Sequence, residues 1–121
     1  LLCPTYTYLA AINKPDEIVS FLDKAPSKNQ SMEEFSNFDF SLHLKLTQCS
    51  GNPIFTLILN GFKELFIENA KIYFRNLEAR DNSSQFYSAL REAIYSKQYE
   101  QVSQIAQETM SISIDFWKLA N

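Results

Sequence analysis

Apolar residues recur at every third or fourth position along most of the chain, which is the period of an amphipathic helix. Only two glycines, Gly51 and Gly61, interrupt the pattern in 121 residues. The sequence therefore predicts an all-α fold, an antiparallel bundle of about six helices.

Local signals divide the first half of the chain into helices. We expect helices over about 6–13 and 17–24, separated at a proline that suits a first helical turn. Ser31 is followed three residues later by Glu34, which is the form of a capping box. This box predicts a helix that continues to Cys49 with one apolar stripe.

A long helix is predicted over 53–74. Gly51 suits the C-terminal cap of the preceding helix, and Pro53 suits the first turn of this one. The segment has two apolar stripes, one of which includes Gly61. We therefore expect most of its surface to be buried, as the central helix of the bundle.

Two more helices complete the prediction. The polar residues 82–84 are expected to precede one helix, and 99–119 forms the last. The core stripe expected on the last helix consists of Val102, Ile105, Thr109, Ile112 and Phe116.

Length and charge bound the function. A chain of 121 residues suits one domain. The 14 acidic and 11 basic side chains give a net charge of −3 with no basic stripe, which argues against nucleic-acid binding by this segment. Apolar runs such as 57–59 are too short to span a bilayer, so we expect no membrane association and a cytoplasmic location. Cys3 and Cys49 are expected to be buried free thiols.

His43, the only histidine in the chain, lies four residues after Asp39. This spacing places both side chains on one helix face, where they form half of a metal site. Because no second histidine is present, we expect no bound metal and no cofactor. The competing interpretation is a neutral core histidine that forms a hydrogen bond with Asp39 or with a tyrosine hydroxyl.

From Asp39 to Trp117 the sequence resembles the C-terminal effector domain of the FadR family of fatty-acid metabolism regulators, within the GntR superfamily of transcription factors. The resemblance rests on the segments 50–54, 57–61, 73–74, 78–80 and 86–87, and on Lys63, Asn76, Gln101, Val102 and Trp117.

The resemblance implies that residues 1–121 form the C-terminal ligand-binding domain of a regulator. In that family the domain binds a long-chain fatty acyl-CoA thioester. Through a linker helix it then releases an N-terminal winged helix-turn-helix domain from DNA. Neither the DNA-binding domain nor the linker helix is found in this sequence. The resemblance also implies a homodimer of the intact regulator.

Aromatic residues at helical spacing are more typical of an ordinary core than of a ligand site. The candidates for ligand binding are His43, Phe62, Phe66, Tyr73, Tyr87, Met110, Ser113 and Trp117. The resemblance favours ligand binding for four of them, Tyr73, Tyr87, Ser113 and Trp117, which match the family residue for residue. The family has glycine where this chain has Met110 and Ile114, and arginine where it has Glu68. The cations expected near a CoA phosphate are Lys71, Arg75 and Arg80.

Two other functions remain open at this point. Related metal-binding members of the superfamily sense small carboxylates, and they place two further histidines near the positions of Tyr87 and Met110. The second alternative is an enzyme acting on acyl thioesters. We expect no enzyme, because no nucleophile is predicted beside His43; Ser41 lies on the same helix but on another face.

Overall fold

The computed structural model describes residues 2–27 and 29–120, with the side chains of 113–120 outside the description. These residues contain seven α-helices and no strand, which confirms the all-α prediction. The helices are α1 (Leu2–Asn13), α2 (Pro15–Leu22), α3 (Met32–Cys49), α4 (Pro53–Gly61), α5 (Lys63–Tyr73), α6 (Leu77–Tyr95) and α7 (Val102–Ala120), with a 3-10 turn at Tyr99–Gln101.

The boundaries of α3 follow from local hydrogen bonding. The Ser31 hydroxyl accepts a hydrogen bond from the backbone N–H of Glu34 at 3.2 Å, which confirms the predicted cap. After α3, Gly51 has a φ of 82°, a left-handed conformation that glycine adopts without strain. The Asn13 side chain donates to the carbonyls of Cys49 and Ser50, at 3.3 and 3.0 Å. These bonds fix the end of α1 to the α3–α4 turn.

The predicted helix over 53–74 is two helices. The helix α4 ends at Gly61, and Phe62 leaves helical geometry with φ −106° and ψ 6° before α5 begins at Lys63. The helix α4 has no buried residue, so the expectation of a buried central helix is wrong for this half. A Cβ added at Gly61 would meet nothing within 4 Å, and Gly61 is therefore not a close-packing position.

The start of α6 also differs from the prediction. Asn76 caps this helix by accepting from the N–H of Glu78 at 2.8 Å. The polar residues 82–84 suggested the start of a helix, but they lie inside α6, where the small side chain of Ser83 is buried.

The core lies where α3, α1, α6 and α7 meet. The helix α1 packs between α3 and α7, and α6 packs against α2 and α7. The largest fully buried apolar side chains are Ile18, Phe35, Leu42, Leu46, Phe74, Leu90, Ile94 and Val102. Both cysteines are buried and free, as predicted. On α7, Ile112 is 45% exposed, so the predicted core stripe does not extend that far.

One apolar face is left uncovered along α4 and the start of α5. It consists of Ile54, Leu57, Ile58, Phe62 and Leu65, of which Leu57 is 72% exposed. Among the described residues, no helix has the length and hydropathy needed to cross a membrane.

Candidate functional site

A cavity of about 340 Å³ lies between α1, α3, α5, α6 and α7. Its wall is mainly apolar, and it reaches the surface at Asn69, which is exposed. The lining residues are Cys3, Tyr6, Asp39, His43, Phe66, Asn69, Ala70, Tyr73, Phe74, Ser83, Phe86, Ala106, Thr109 and Met110. An apolar cavity with a few convergent polar groups is typical of a small-molecule site.

The apolar wall is built by two helices whose spacing brings side chains onto one face. On α5, Phe66, Ala70 and Tyr73 follow the i, i+4, i+7 pattern. On α7, Ala106 and Met110 are four residues apart and also line the cavity. The wall thus combines aromatic rings from α5 with a thioether from α7.

The polar groups gather around the imidazole of His43. The Tyr6 hydroxyl lies 2.6 Å from His43 Nδ1, and the two rings meet edge to face. The Cys3 thiol lies 3.9 Å from the same nitrogen. On the other side of the ring, His43 Nε2 is 3.8 Å from Asp39 Oδ2. His43 is therefore buried and hydrogen-bonded to a tyrosine, as expected for a core histidine, and it also contacts a thiol. The expected neutral form is wrong, because the pKa of His43 is raised to about 9.

Cys3 and His43 stabilise each other's charged forms. Burial disfavours the thiolate of Cys3, but the charge of His43 and the hydrogen bonds around the thiol together outweigh it, and the pKa of Cys3 is lowered. Burial also disfavours the imidazolium, yet the charges of Cys3 and Asp39 raise the pKa of His43 to about 9. Each group in its charged form therefore favours the charged form of the other.

Two tyrosines stay protonated around this pair. Burial and the nearby charge of Cys3 raise the pKa of Tyr6 well above its usual range. Burial, together with Asp39, does the same to the pKa of Tyr87. The Tyr87 hydroxyl donates to Asp39 Oδ1 at 2.7 Å. Tyr87 is thus a neutral donor that orients the carboxylate facing His43.

The cavity contains part of the predicted ligand-binding set. His43, Phe66, Tyr73 and Met110 line it. Tyr87 lies behind Asp39 and is not part of the lining.

Phe62, a further predicted ligand-binding residue, does not line the cavity. Phe62 is 54% exposed at the α4–α5 break, because the interruption of the helix turns it outward. This is a correction to its predicted place. Ser113 and Trp117 have side chains outside the described part of the chain.

The three cations predicted to meet a phosphate lie outside the lining. Lys71 forms an ion pair with Glu68 at 3.4 Å. Arg80 donates from Nε to the carbonyl of Phe74 at 2.7 Å and so supports the end of α5. Arg75 is exposed beside Phe74, which lines the cavity. Of the three, Arg75 is the one that is exposed, since Lys71 and Arg80 are half-buried.

The predicted half-site of Asp39 and His43 is present as a pair. In the described part of the chain, no group of three or more His, Cys, Asp or Glu side chains is arranged to hold a metal ion. Tyr87 and Met110 occupy the neighbourhood in which related members place further ligands. The alternative of a metal-binding domain that senses a small carboxylate is not tested by this arrangement. Elemental analysis of the purified protein tests it.

Sequence reasoning missed Cys3 and Tyr6. The expectation of no nucleophile beside His43 is wrong, because Cys3 reaches the histidine from a helix 40 residues away. The signal available was the spacing of Cys3, Tyr6 and Ala10 on one face of α1, all of them buried. That spacing predicts a buried face but gives no indication of which residue lies across from it.

Comparison with known proteins agrees with the all-α fold. A sequence model of the FadR C-terminal domain matches residues 1–121. The fatty acid metabolism regulator protein of Shewanella frigidimarina is 37% identical over 90 residues, which cover 74% of this chain and 38% of that protein. The protein of the same name from Edwardsiella ictaluri is 38% identical over 88 residues, which cover 73% of this chain and 37% of that protein.

The matched segment thus covers well under half of each relative. The family match, in contrast, runs over the whole sequence. On that ground the chain belongs to the FadR C-terminal domain family.

Proposed function

We propose that this chain is the effector-sensing domain of a transcriptional regulator, and that its effector is a long-chain fatty acyl-CoA. The observation that carries the proposal is the apolar cavity between α5 and α7, in a chain of this family. DNA binding belongs to a separate N-terminal winged-helix domain, and the intact regulator acts as a homodimer. The relatives named above carry the name of a regulator of fatty acid metabolism.

The size of the cavity decides which part of the effector it holds. Its volume of about 340 Å³ lies at the lower end of the range for ligand pockets, about 300 to 1,000 Å³. The lining is mainly apolar, and Asn69 marks the opening. The acyl chain therefore occupies the cavity, and the CoA moiety lies outside it at the protein surface.

Arg75 supplies the contact for the CoA phosphates in this proposal. It is exposed beside Phe74, whereas Lys71 is paired with Glu68 and Arg80 with a backbone carbonyl. A guanidinium suits this role because it can form two parallel hydrogen bonds with a phosphate. Lys71 and Arg80 contribute positive charge at a greater distance.

Calorimetric titration of the intact protein with a series of acyl-CoA esters tests the proposal. Each buried methylene contributes about 0.8 kcal/mol, so removing four of them weakens binding by about 3 kcal/mol, or about a hundredfold. Free CoA binds far more weakly. Trp117, the only tryptophan in the chain, offers a second readout through its emission. An affinity that does not depend on chain length contradicts the proposal.

The contribution of Arg75 is tested separately. Arg75→Gln weakens binding of the CoA ester but leaves binding of the free fatty acid unchanged, because only the ester has the phosphates. Lys24→Gln is the matched control, since Lys24 is an exposed cation that does not line the cavity. An equal loss in both variants points to general electrostatic attraction instead.

A further inference from the structure

We infer that Cys3 is a nucleophilic thiol that takes the acyl group from a long-chain acyl thioester held in the cavity, with His43 as its acid–base partner. The inference rests on the proposed function for the identity of the thioester. It adds a covalent modification site to a domain that otherwise only binds its effector. The acyl group stays on the protein, so the step is stoichiometric and does not turn over.

The geometry carries the inference. Cys3 lines the cavity, and its Sγ lies 3.9 Å from His43 Nδ1. Asp39 Oδ2 lies 3.8 Å from His43 Nε2, on the opposite side of the ring. A nucleophile, a base and an orienting carboxylate in this order form the arrangement that activates cysteine in acyl transfer.

The surrounding groups support a reactive thiolate. From α1, Tyr6 forms a hydrogen bond that stabilises the thiolate, and the Thr7 hydroxyl lies 3.7 Å from Sγ. From α6, Tyr87 fixes Asp39 and, through it, the imidazole. Burial opposes the charge of Cys3, but His43, Thr7 and Tyr6 together lower its pKa. An ordinary core cysteine has no such partners, and burial alone raises its pKa.

The proposed step is a thiol–thioester exchange. The proton of Cys3 moves to His43 Nδ1, and the Cys3 sulfur attacks the carbonyl carbon of the thioester. A new carbon–sulfur bond forms to Cys3, and the carbon–sulfur bond to CoA breaks. The CoA sulfur leaves with the electron pair and takes the proton from the imidazolium. The products are S-acyl Cys3 and free CoA, with no oxidant or reductant required.

Cys49 provides a matched control within the same chain. It is also buried and free, but its thiol donates to the carboxylate of Glu17 at 3.5 Å. Burial and Glu17 raise the pKa of Cys49, the opposite direction to Cys3. Cys49 is also absent from the cavity lining. A reaction driven by cavity binding and thiol activation therefore discriminates between the two cysteines.

The test uses the intact protein incubated with palmitoyl-CoA. Intact-mass and peptide mass spectrometry are expected to detect one palmitoyl group, on the peptide containing Cys3, that hydroxylamine removes. Cys3→Ser abolishes the adduct, whereas Cys49→Ser leaves its rate unchanged. His43→Gln, compared at saturating palmitoyl-CoA, slows the reaction about a hundredfold because the general base is lost.

Calorimetry on the same samples separates this inference from the proposed function. Binding of palmitoyl-CoA without an adduct overturns the inference and leaves the proposed function intact. If neither binding nor an adduct is observed, both the inference and the proposed function are contradicted. Equal labelling of Cys3 and Cys49, or a His43→Gln rate equal to the wild-type rate, also overturns the inference, because either result means that the cavity and the histidine do not activate the thiol.

Discussion

The hydroxyl of Tyr6 lies 2.6 Å from Nδ1 of His43, although the two residues are 37 positions apart. This contact joins α1 to α3 inside the cavity wall. It gives the only histidine of the chain a buried partner, and it places the same nitrogen within reach of Cys3. The stability of the fold and the chemistry of the cavity therefore depend on the same pair of helices.

Replacing Tyr6 with phenylalanine tests the structural side of this contact. Tyr6→Phe removes one partner of a buried hydrogen bond and is expected to lower the free energy of unfolding by about 1 to 3 kcal/mol. Urea denaturation measures the change. Tyr8→Phe is the control, because Tyr8 lies on the same helix but is 36% exposed. Equal effects of the two changes contradict the structural role of the hydroxyl.

The ionisation of His43 is open to direct measurement by NMR. Its imidazole signal, assigned by comparison with His43→Gln, is expected to titrate near pH 9. Cys3→Ala moves the midpoint down, because the charge of Cys3 is the largest factor that raises the pKa of His43. A midpoint near the ordinary value of 6.5 in the wild type contradicts the proposed charge pair.

The raised pKa of His43 also makes the free energy of unfolding depend on pH in a defined direction. Since the pKa of His43 is raised in the folded state, its contribution to the free energy of unfolding is full below about pH 6.5. This contribution is lost as the pH rises through about 9. The lowered pKa of Cys3 acts in the opposite direction, with a contribution that is present above pH 9.0 and lost as the pH falls through its folded pKa. NMR separates the two groups, whereas a melting temperature combines them.

Met110 is the position at which the cavity is most easily closed. It is half-buried and lines the cavity together with Phe66 and Tyr73. Met110→Phe is expected to fill part of the cavity and so to weaken binding of the proposed acyl-CoA, and the overpacking is expected to lower the free energy of unfolding by about 1 to 3 kcal/mol. Ile112→Phe, on the same helix but exposed, leaves binding unchanged. Calorimetric dissociation constants for both variants decide the matter.

The two glycines are expected to respond in opposite ways to alanine. Gly51→Ala places a side chain at a φ of 82°, with its Cβ 3.3 Å from the Asn13 amide that holds the α3–α4 turn. The left-handed conformation alone costs about 1 to 2 kcal/mol. Gly61→Ala has open space and no such cost. Thermal unfolding of both variants checks the difference, and a comparable loss of stability in each contradicts it.

The sequence determines local features of this fold more clearly than contacts between distant segments. The Ser31 cap, the Gly51 turn and the Pro53 start were all predictable, because each depends on residues within a few positions. The break at Phe62 was not, since Gly61 tolerates either a continuous or an interrupted helix. Apolar periodicity predicted a helix buried on most of its surface, but α4 packs against α3 and leaves Ile54, Leu57 and Ile58 exposed.

The site shows the same division. His43 and Asp39 were identified by their spacing, and their placement on one face of α3 follows from helical geometry. The contact between Cys3 and His43 was not predicted, because it depends on how α1 packs against α3, and apolar periodicity does not specify this. Phe66, Tyr73 and Met110 were identified through resemblance to a family, and spacing alone is equally compatible with plain core.

The cavity takes its wall from both Cys3 and Met110, residues that lie near opposite ends of the chain. Contacts with such a large separation in sequence are slow to form, because the intervening chain loses the entropy of a long loop before they add stability. During synthesis, a ribosome-bound chain that has not yet released α7 lacks one wall of the cavity. The proposed effector therefore has no complete site on a nascent chain, and we expect it to stabilise the domain only once α7 has been released and has packed against α1.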